Sequence, residues 1–251
     1  MVITGASSGL GAALATHYAT SGAIVGLIAR RLDRLEALAA AHPGKMAVWA
    51  ADVTDSAAMQ IAAKSFTNRF GPPDIVIANA GVSVGTLGDS AGDLPAFRRV
   101  MDVNVFGMAA TFQPFIEAMR TRGRGSLVGI ASVAGFRGLP GAAAYSASKS
   151  AAITYLESLR TELRGSGIVV TTICPGYVRT PMTEVNPYPM PFIIDADDAA
   201  KRFALAIKRK RRRVVIPWQM GVIGWVLRLL PGWLFERLFA HAPRKPRQLP
   251  L

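Results

Sequence analysis

The sequence predicts a single doubly wound α/β domain, a seven-stranded parallel sheet with helices on both faces. Three observations predict it. Short apolar runs alternate with helix-forming stretches over the first 200 residues. Those runs are apolar on both sides, and strands of that kind joined by helical crossovers belong to a parallel sheet covered on both faces. The chain has 251 residues, 51% hydrophobic and 18% charged, so it can bury one large core and is too apolar for disorder.

The elements follow in order. "MVIT" is a short β-branched run that starts at Met1 and meets glycines at once. "AALATHYATSG" suits a helix closed by Gly22. "AIVGLIA" reads as a buried strand, and "DRLEALAAAH" as a helix stopped by Pro43 and Gly44. "KMAVWAADV" is strand-like, and "DSAAMQIAAKSFTNRF" is helical with Asp55 as N-cap. "DIVIANAG" is the next strand. A long helix covers about 95–120, with Pro114 expected to distort it or mark a boundary. "GSLVGIAS" is a strand, about 144–164 a helix, and "GIVVTTICPG" a strand. "DADDAAKRFALAI" is a helix with acids first and bases last, as the helix dipole prefers. "VVIP" completes the sheet at its edge.

Charge divides the chain unevenly. Residues 1–200 hold 16 basic and 15 acidic side chains, whereas residues 201–251 hold 13 basic ones and only Glu236 as an acid. The net charge of +13 therefore belongs to the last fifth. A single cysteine, Cys174, excludes an intrachain disulfide and fits a reducing compartment. No charged segment followed by an apolar run opens the chain, so no secretory signal is visible and a cytoplasmic protein is expected.

"TGASSGLG", residues 4–11, lies between the first strand and the first helix. Glycine there lets the backbone turn tightly and approach a ligand, and the helix N-terminus offers free N–H groups to a pyrophosphate. Gly5, Gly9 and Gly11 are spaced G-x-x-x-G-x-G, with Ser7, Ser8 and Leu10 between them. At the end of the second strand an acid would hold a ribose 2′-hydroxyl. Here Ala29 takes that place, followed by Arg30 and Arg31. A guanidinium binds a 2′-phosphate that an acid would repel, so NADP(H) is favoured over NAD(H). Two solvated surface arginines are the plainer alternative.

With these pieces in hand, the chain resembles the short-chain dehydrogenase/reductases, in their compact branch of about 250 residues. The resemblance rests on "TGASSGLG" at 4–11, "DV" at 52–53, "NAG" at 79–81, the Asn104 of "MDVNVFG", the Ser132 of "IASVAG", "YSASK" at 145–149 and "PGYVRT" at 175–180. They stand in family order over residues 1 to about 200. The fold implied is a Rossmann-type domain. Residues i and i+4 share a helix face, so Tyr145 and Lys149 can point into one cleft, where the ammonium is expected to lower the phenol's pKa.

The resemblance implies the remaining roles. Tyr145 exchanges a proton with a substrate oxygen, Lys149 holds the nicotinamide ribose and tunes Tyr145, Ser132 bonds the reacting oxygen, and Asn104 helps place Lys149 through a water. Asp52 and Val53 border the adenine. Asn79, Ala80 and Gly81 lie under the adenosine ribose. Pro175 and Gly176 end the sixth strand, and Val178 and Thr180 hold the carboxamide. The reaction implied is hydride transfer between NADP(H) and a carbonyl or alcohol, in a homodimer or homotetramer. A catalytically silent cofactor sensor or membrane scaffold on the same fold is the alternative. His17 and His42 have no partner pattern, and no metal-ligand spacing exists.

The two remaining segments bear on substrate and location. "PMTEVNPYPMPFII" carries four prolines among apolar residues. In the family this region lids the substrate pocket, and an apolar lid suggests a lipophilic substrate; a packed loop is the alternative. The chain divides into a catalytic body, residues 1–213, and an edge strand with a basic, tryptophan-rich tail, residues 214–251. The tail's apolar run from Val214 to Leu230 is broken by Pro217, Gly221, Gly224 and Arg228, and a membrane span needs about 20 apolar residues. Two short helices hinged at Pro231 instead suit an anionic bilayer surface. Packing on the body or in an oligomer competes; nucleic acid is not expected.

Overall fold

The computed structural model describes residues 1–247. Seven strands form one parallel sheet: β1 (Val2–Thr4), β2 (Val25–Ala29), β3 (Met46–Ala50), β4 (Ile75–Ala78), β5 (Gly125–Ile130), β6 (Ile168–Pro175) and a last one at the far edge. Between them run helices α1 (Gly9–Thr20), α2 (Leu32–Ala40), α3 (Ser56–Phe70), α4 (Leu94–Met101), α5 (Gly107–Arg122) and α6 (Ala143–Glu162). A two-residue ribbon, β7 (Val178–Arg179) with β8 (Ile194–Asp195), brackets the short helix α7 (Pro181–Glu184). Then come α8 (Ala196–Lys208), the edge strand β9 (Arg213–Ile216), α9 (Trp218–Leu229) and α10 (Gly232–Phe239).

The strand order is β3-β2-β1-β4-β5-β6-β9. The order reverses between β1 and β4, and a crevice opens at such a point beyond the strands' carboxyl ends. Although β1 has only three residues, all are buried, because β2 and β4 pair with it on either side. One core face packs α1, α2 and α8 through Leu14, Leu35 and Phe203. The other packs α3, α5 and α6 through Phe66, Phe112 and Leu156. Asp55 caps α3 as expected, its Oδ1 accepting the Ala58 amide at 3.0 Å.

The long helix expected over 95–120 is divided, and not at Pro114. Pro114 lies inside α5, which continues through it. A helix-interior proline costs about 3 kcal/mol, and the fully buried Phe112 and Phe115 on either side outweigh that by packing against the sheet. The break is a π-helical turn at Asp102–Phe106, between α4 and α5. Its extra residue places Asn104 in the interior.

The tail forms the two expected helices, and they divide their faces. Met220 and Phe235 are buried, Gly224 lies against the Phe136 ring, and Arg137 stacks over Phe235 at 4.2 Å while donating to the Leu227 carbonyl at 2.7 Å. Trp218, Trp225 and Trp233 remain 69%, 64% and 67% exposed. Body packing therefore accounts for one face only. Among the described residues no helix is long and apolar enough to cross a membrane.

Candidate active site

The cleft begins at the turn after β1. Gly5 has φ +66°, in the left-handed region that glycine adopts without strain. A Cβ at Gly11 would collide with the Gly5 carbonyl, so the turn can close this tightly only without one. Ser8, the N-cap of α1, makes no side-chain capping bond. The first N–H groups of α1 thus remain for another acceptor. Asn79 clasps the turn to β4: its Nδ2 donates to the carbonyls of Thr4 at 3.0 Å and Gly5 at 3.3 Å. Gly81 lies beside Asn104 and Lys149; a Cβ there would stand 3.5 Å from Nζ.

The basic pair at the end of β2 folds back over the turn. Arg31 Nη2 donates to Ser7 Oγ at 3.0 Å and Ser8 Oγ at 2.9 Å. Arg30 stands 4.0 Å from the Asp52 carboxylate. Asp52 has a partner that sequence reading missed: Arg99 of α4 donates to it at 2.7 Å, while the Thr54 amide and hydroxyl bond its other oxygen. Burial alone would raise the Asp52 pKa, but these bonds outweigh it and hold the carboxyl at about 2. Nothing in the local sequence points to Arg99, since its partner lies 47 residues away.

At the other end, Ser132 follows β5, and Tyr145 and Lys149 stand on α6. Ser132 Oγ accepts the Ala134 amide at 3.1 Å. Lys149 is buried, and its Nζ donates to the Ile130 carbonyl at 2.8 Å. Burial lowers its pKa to about 8, against a small opposing effect from Cys174. The expected lowering of the Tyr145 pKa by Lys149 does not occur in the chain by itself. Burial raises the phenol above its ordinary value, and only a hydrogen bond with Ser132 opposes this. Nζ lies 5.7 Å from the Tyr145 ring centre, so it faces the ring without bonding the hydroxyl. The cost of burying an anionic phenolate therefore sets the direction of the shift here.

Asn104 is 1% exposed. Its Oδ1 accepts the Val82 amide at 2.8 Å, and its Nδ2 donates to the Val82 carbonyl at 3.0 Å and Ser148 Oγ at 2.9 Å. It bridges the segment after β4 to the residue preceding Lys149, and lies behind the cleft wall. All the other expected site residues line one cleft of about 510 Å³, from Gly5 at one end to Tyr145, Pro175, Gly176, Val178 and Thr180 at the other. Met182 and Thr183 of α7 line it too.

The geometry agrees with three kinds of comparison. A short chain dehydrogenase family model matches residues 1–188. An uncharacterized oxidoreductase of Myxococcus xanthus is 42% identical over 94% of either chain. Levodione reductase superposes with a TM-score of 0.80 at 26% identity, covering 88% of this chain and 96% of that one. The 3-ketoacyl-(acyl-carrier-protein) reductase of Brucella melitensis, complexed with NADH, gives 0.77 at 25% identity, covering 86% and 95%. The chain belongs to the short-chain dehydrogenase/reductase family, oxidoreductases that move a hydride between a nicotinamide nucleotide and an alcohol or carbonyl.

Proposed function

We propose that this protein reduces a lipophilic carbonyl substrate, or oxidises the corresponding alcohol, with NADP(H). The observation that carries this reading is the convergence of Ser132, Tyr145 and Lys149 on a cleft whose other end is the uncapped start of α1. The residues present fit a nicotinamide dinucleotide. The glycine turn and the unbonded N–H groups of α1 would hold its pyrophosphate, and Arg30 and Arg31 a 2′-phosphate. Asp52 and Val53 would border the adenine, Asn79, Ala80 and Gly81 the ribose, and Val178 and Thr180 the carboxamide. When bound, the cofactor supplies or accepts the hydride.

Tyr145 gives its hydroxyl proton to the substrate oxygen during reduction and takes it back during oxidation. Ser132, which lines the cleft with Tyr145, holds the same oxygen. Lys149, with a pKa of about 8, is mostly protonated at neutral pH, and its charge beside the ring stabilises the phenolate left behind. Asn104 is a positioning residue, fixing α6 at Ser148.

NADP(H) is supported by Ala29 in place of an acid and by Arg31 over Ser7 and Ser8. The Brucella relative was solved with NADH, so both cofactors belong in the assay. The lipophilic substrate is supported by the lid, whose Met182 lines the cleft. The tail's exposed tryptophans and the exposed basic run 208–212 that precedes them in sequence support docking on an anionic bilayer. Self-association is supported by a different surface, the exposed Leu94, Phe97 and Phe106 of the α4–α5 face. The deciding assay follows nicotinamide absorbance with NADPH or NADH and a panel of aromatic aldehydes and diketones. Turnover faster with NADPH is expected. Intact NADPH binding with no turnover of any carbonyl would leave the silent reading in its place.

A further inference from the structure

Four residues near the end of the described chain, 244–247, return to the body beside α7. The side-chain carbons of Arg244 cover Gly141, where an added Cβ would lie 2.7 Å from Cγ. Lys245 is 8% exposed and donates from Nζ to the Met182 carbonyl at 3.0 Å. The Pro246 carbonyl accepts the Gly85 amide at 2.9 Å. Arg247 pairs with Asp93 at 2.8 Å and donates to Ser90 Oγ at 2.6 Å.

These contacts reach three segments, one of which, α7, lines the cleft. Met182 belongs to α7 and lines the cleft. Gly85 and Asp93 belong to the segment between β4 and α4. Gly141 belongs to the loop that leads into Tyr145, and Thr86 bonds that loop through the Gly141 carbonyl and the Ala144 amide. Residues 244–247 thus fasten together three segments that no local sequence feature joins. The two basic anchors differ in kind. Arg247 has a carboxylate partner. Lys245 holds the lid by one hydrogen bond to a carbonyl, a bond that can break without separating opposite charges.

We propose that residues 244–247 form a strap over the substrate end of the cleft, anchored to the body by Arg247 and latched to the lid by Lys245, and that this strap selects which substrates enter. The inference rests on the function proposed above only for the identity of what enters. Two full-length variants test it. Lys245→Met keeps the side-chain stem and removes the donor. Gly85→Ala leaves Lys245 intact but adds a Cβ that collides with the Lys245 carbonyl, pushing the strap off the opposite wall.

Amide exchange of residues 181–190 and steady-state kinetics with benzaldehyde and 4-phenylbenzaldehyde are compared with wild type. Both variants are expected to exchange about fivefold faster in the lid, as loss of one hydrogen bond implies. The kcat/KM ratio of the bulky to the compact aldehyde should rise by a similar factor, while the NADPH Kd stays within about twofold. Unchanged lid exchange and an unchanged ratio in both variants would overturn the strap, as would an NADPH Kd that moves as far as KM. If the wild type consumes no NADPH with any carbonyl, the proposed function falls while lid exchange still decides the strap.

Discussion

The glycine turn after β1 lines the cleft, the strap at residues 244–247 reaches it only through Met182, and the two are built by opposite means. The turn is fixed by what it lacks: Gly5 takes a positive φ, and at Gly11 a Cβ would strike the Gly5 carbonyl. The strap is fixed by what it reaches, across 63 residues from Lys245 to Met182 and 154 from Arg247 to Asp93. A site held by backbone geometry has few ways to deform. One held by side-chain latches opens at the cost of a hydrogen bond or two. The comparison assigns rigid recognition to the nucleotide end and adjustable access to the substrate end.

The largest expected effect lies where the two ends meet. Tyr145→Phe should lower kcat by about 10²–10⁴ with NADPH affinity nearly intact; retained turnover would remove the phenol from the chemistry and leave the two ends unconnected. Next, Arg31→Ala should reduce the preference for NADPH over NADH by about tenfold or more, through loss of a charge-assisted pair. Equal losses with both cofactors would mean that Arg31 only braces Ser7 and Ser8, so the turn would depend on a side-chain latch after all.

A smaller effect tests the tail. Replacing Trp225 and Trp233 by alanine should weaken co-sedimentation with phosphatidylserine vesicles by about tenfold, and added salt should weaken it in the wild type. Vesicle binding that ignores the substitutions would reject the bilayer reading, and a change in oligomer size would move the self-association surface from the α4–α5 face to the tail.

The smallest effect concerns Asp52, which belongs to the nucleotide end yet depends on a distant arginine. Its folded pKa, about 2, lies below the ordinary 3.8. The contribution of its bonds is therefore complete above about pH 4 and disappears as pH falls through about 2. Arg99→Met should lower neutral-pH stability by about 1 kcal/mol, discounted for the partial exposure of the pair, and flatten part of the acid loss. Identical urea midpoints for variant and wild type at neutral and acidic pH would show the pair to be without weight.

What could be read from the sequence follows the same division. Gly22 follows the end of α1, Asp55 starts α3, and the apolar runs between helices are buried in the sheet, so the order of strands and helices was legible. So was the set of residues that line the cleft, because short motifs fix their neighbours in space. Pro114 misled, since packing of Phe112 and Phe115 overrode a local breaker. Arg99, the Asn104 bonds to Val82 and Ser148, and Lys245 were not legible, because each depends on partners dozens of residues away and leaves no periodic trace. The Tyr145 titration was misread for a related reason: spacing places a cation one turn away but says nothing of how dry the site is.

The π-helical turn at Asp102–Phe106 makes this stretch sensitive to length as well as to composition. An α-helix advances about 100° per residue, so deleting one residue there would mend the hydrogen-bond ladder and swing Asn104 off its partners. A more regular helix would give a poorer enzyme. Insertions and deletions in this stretch should therefore harm activity before they harm folding.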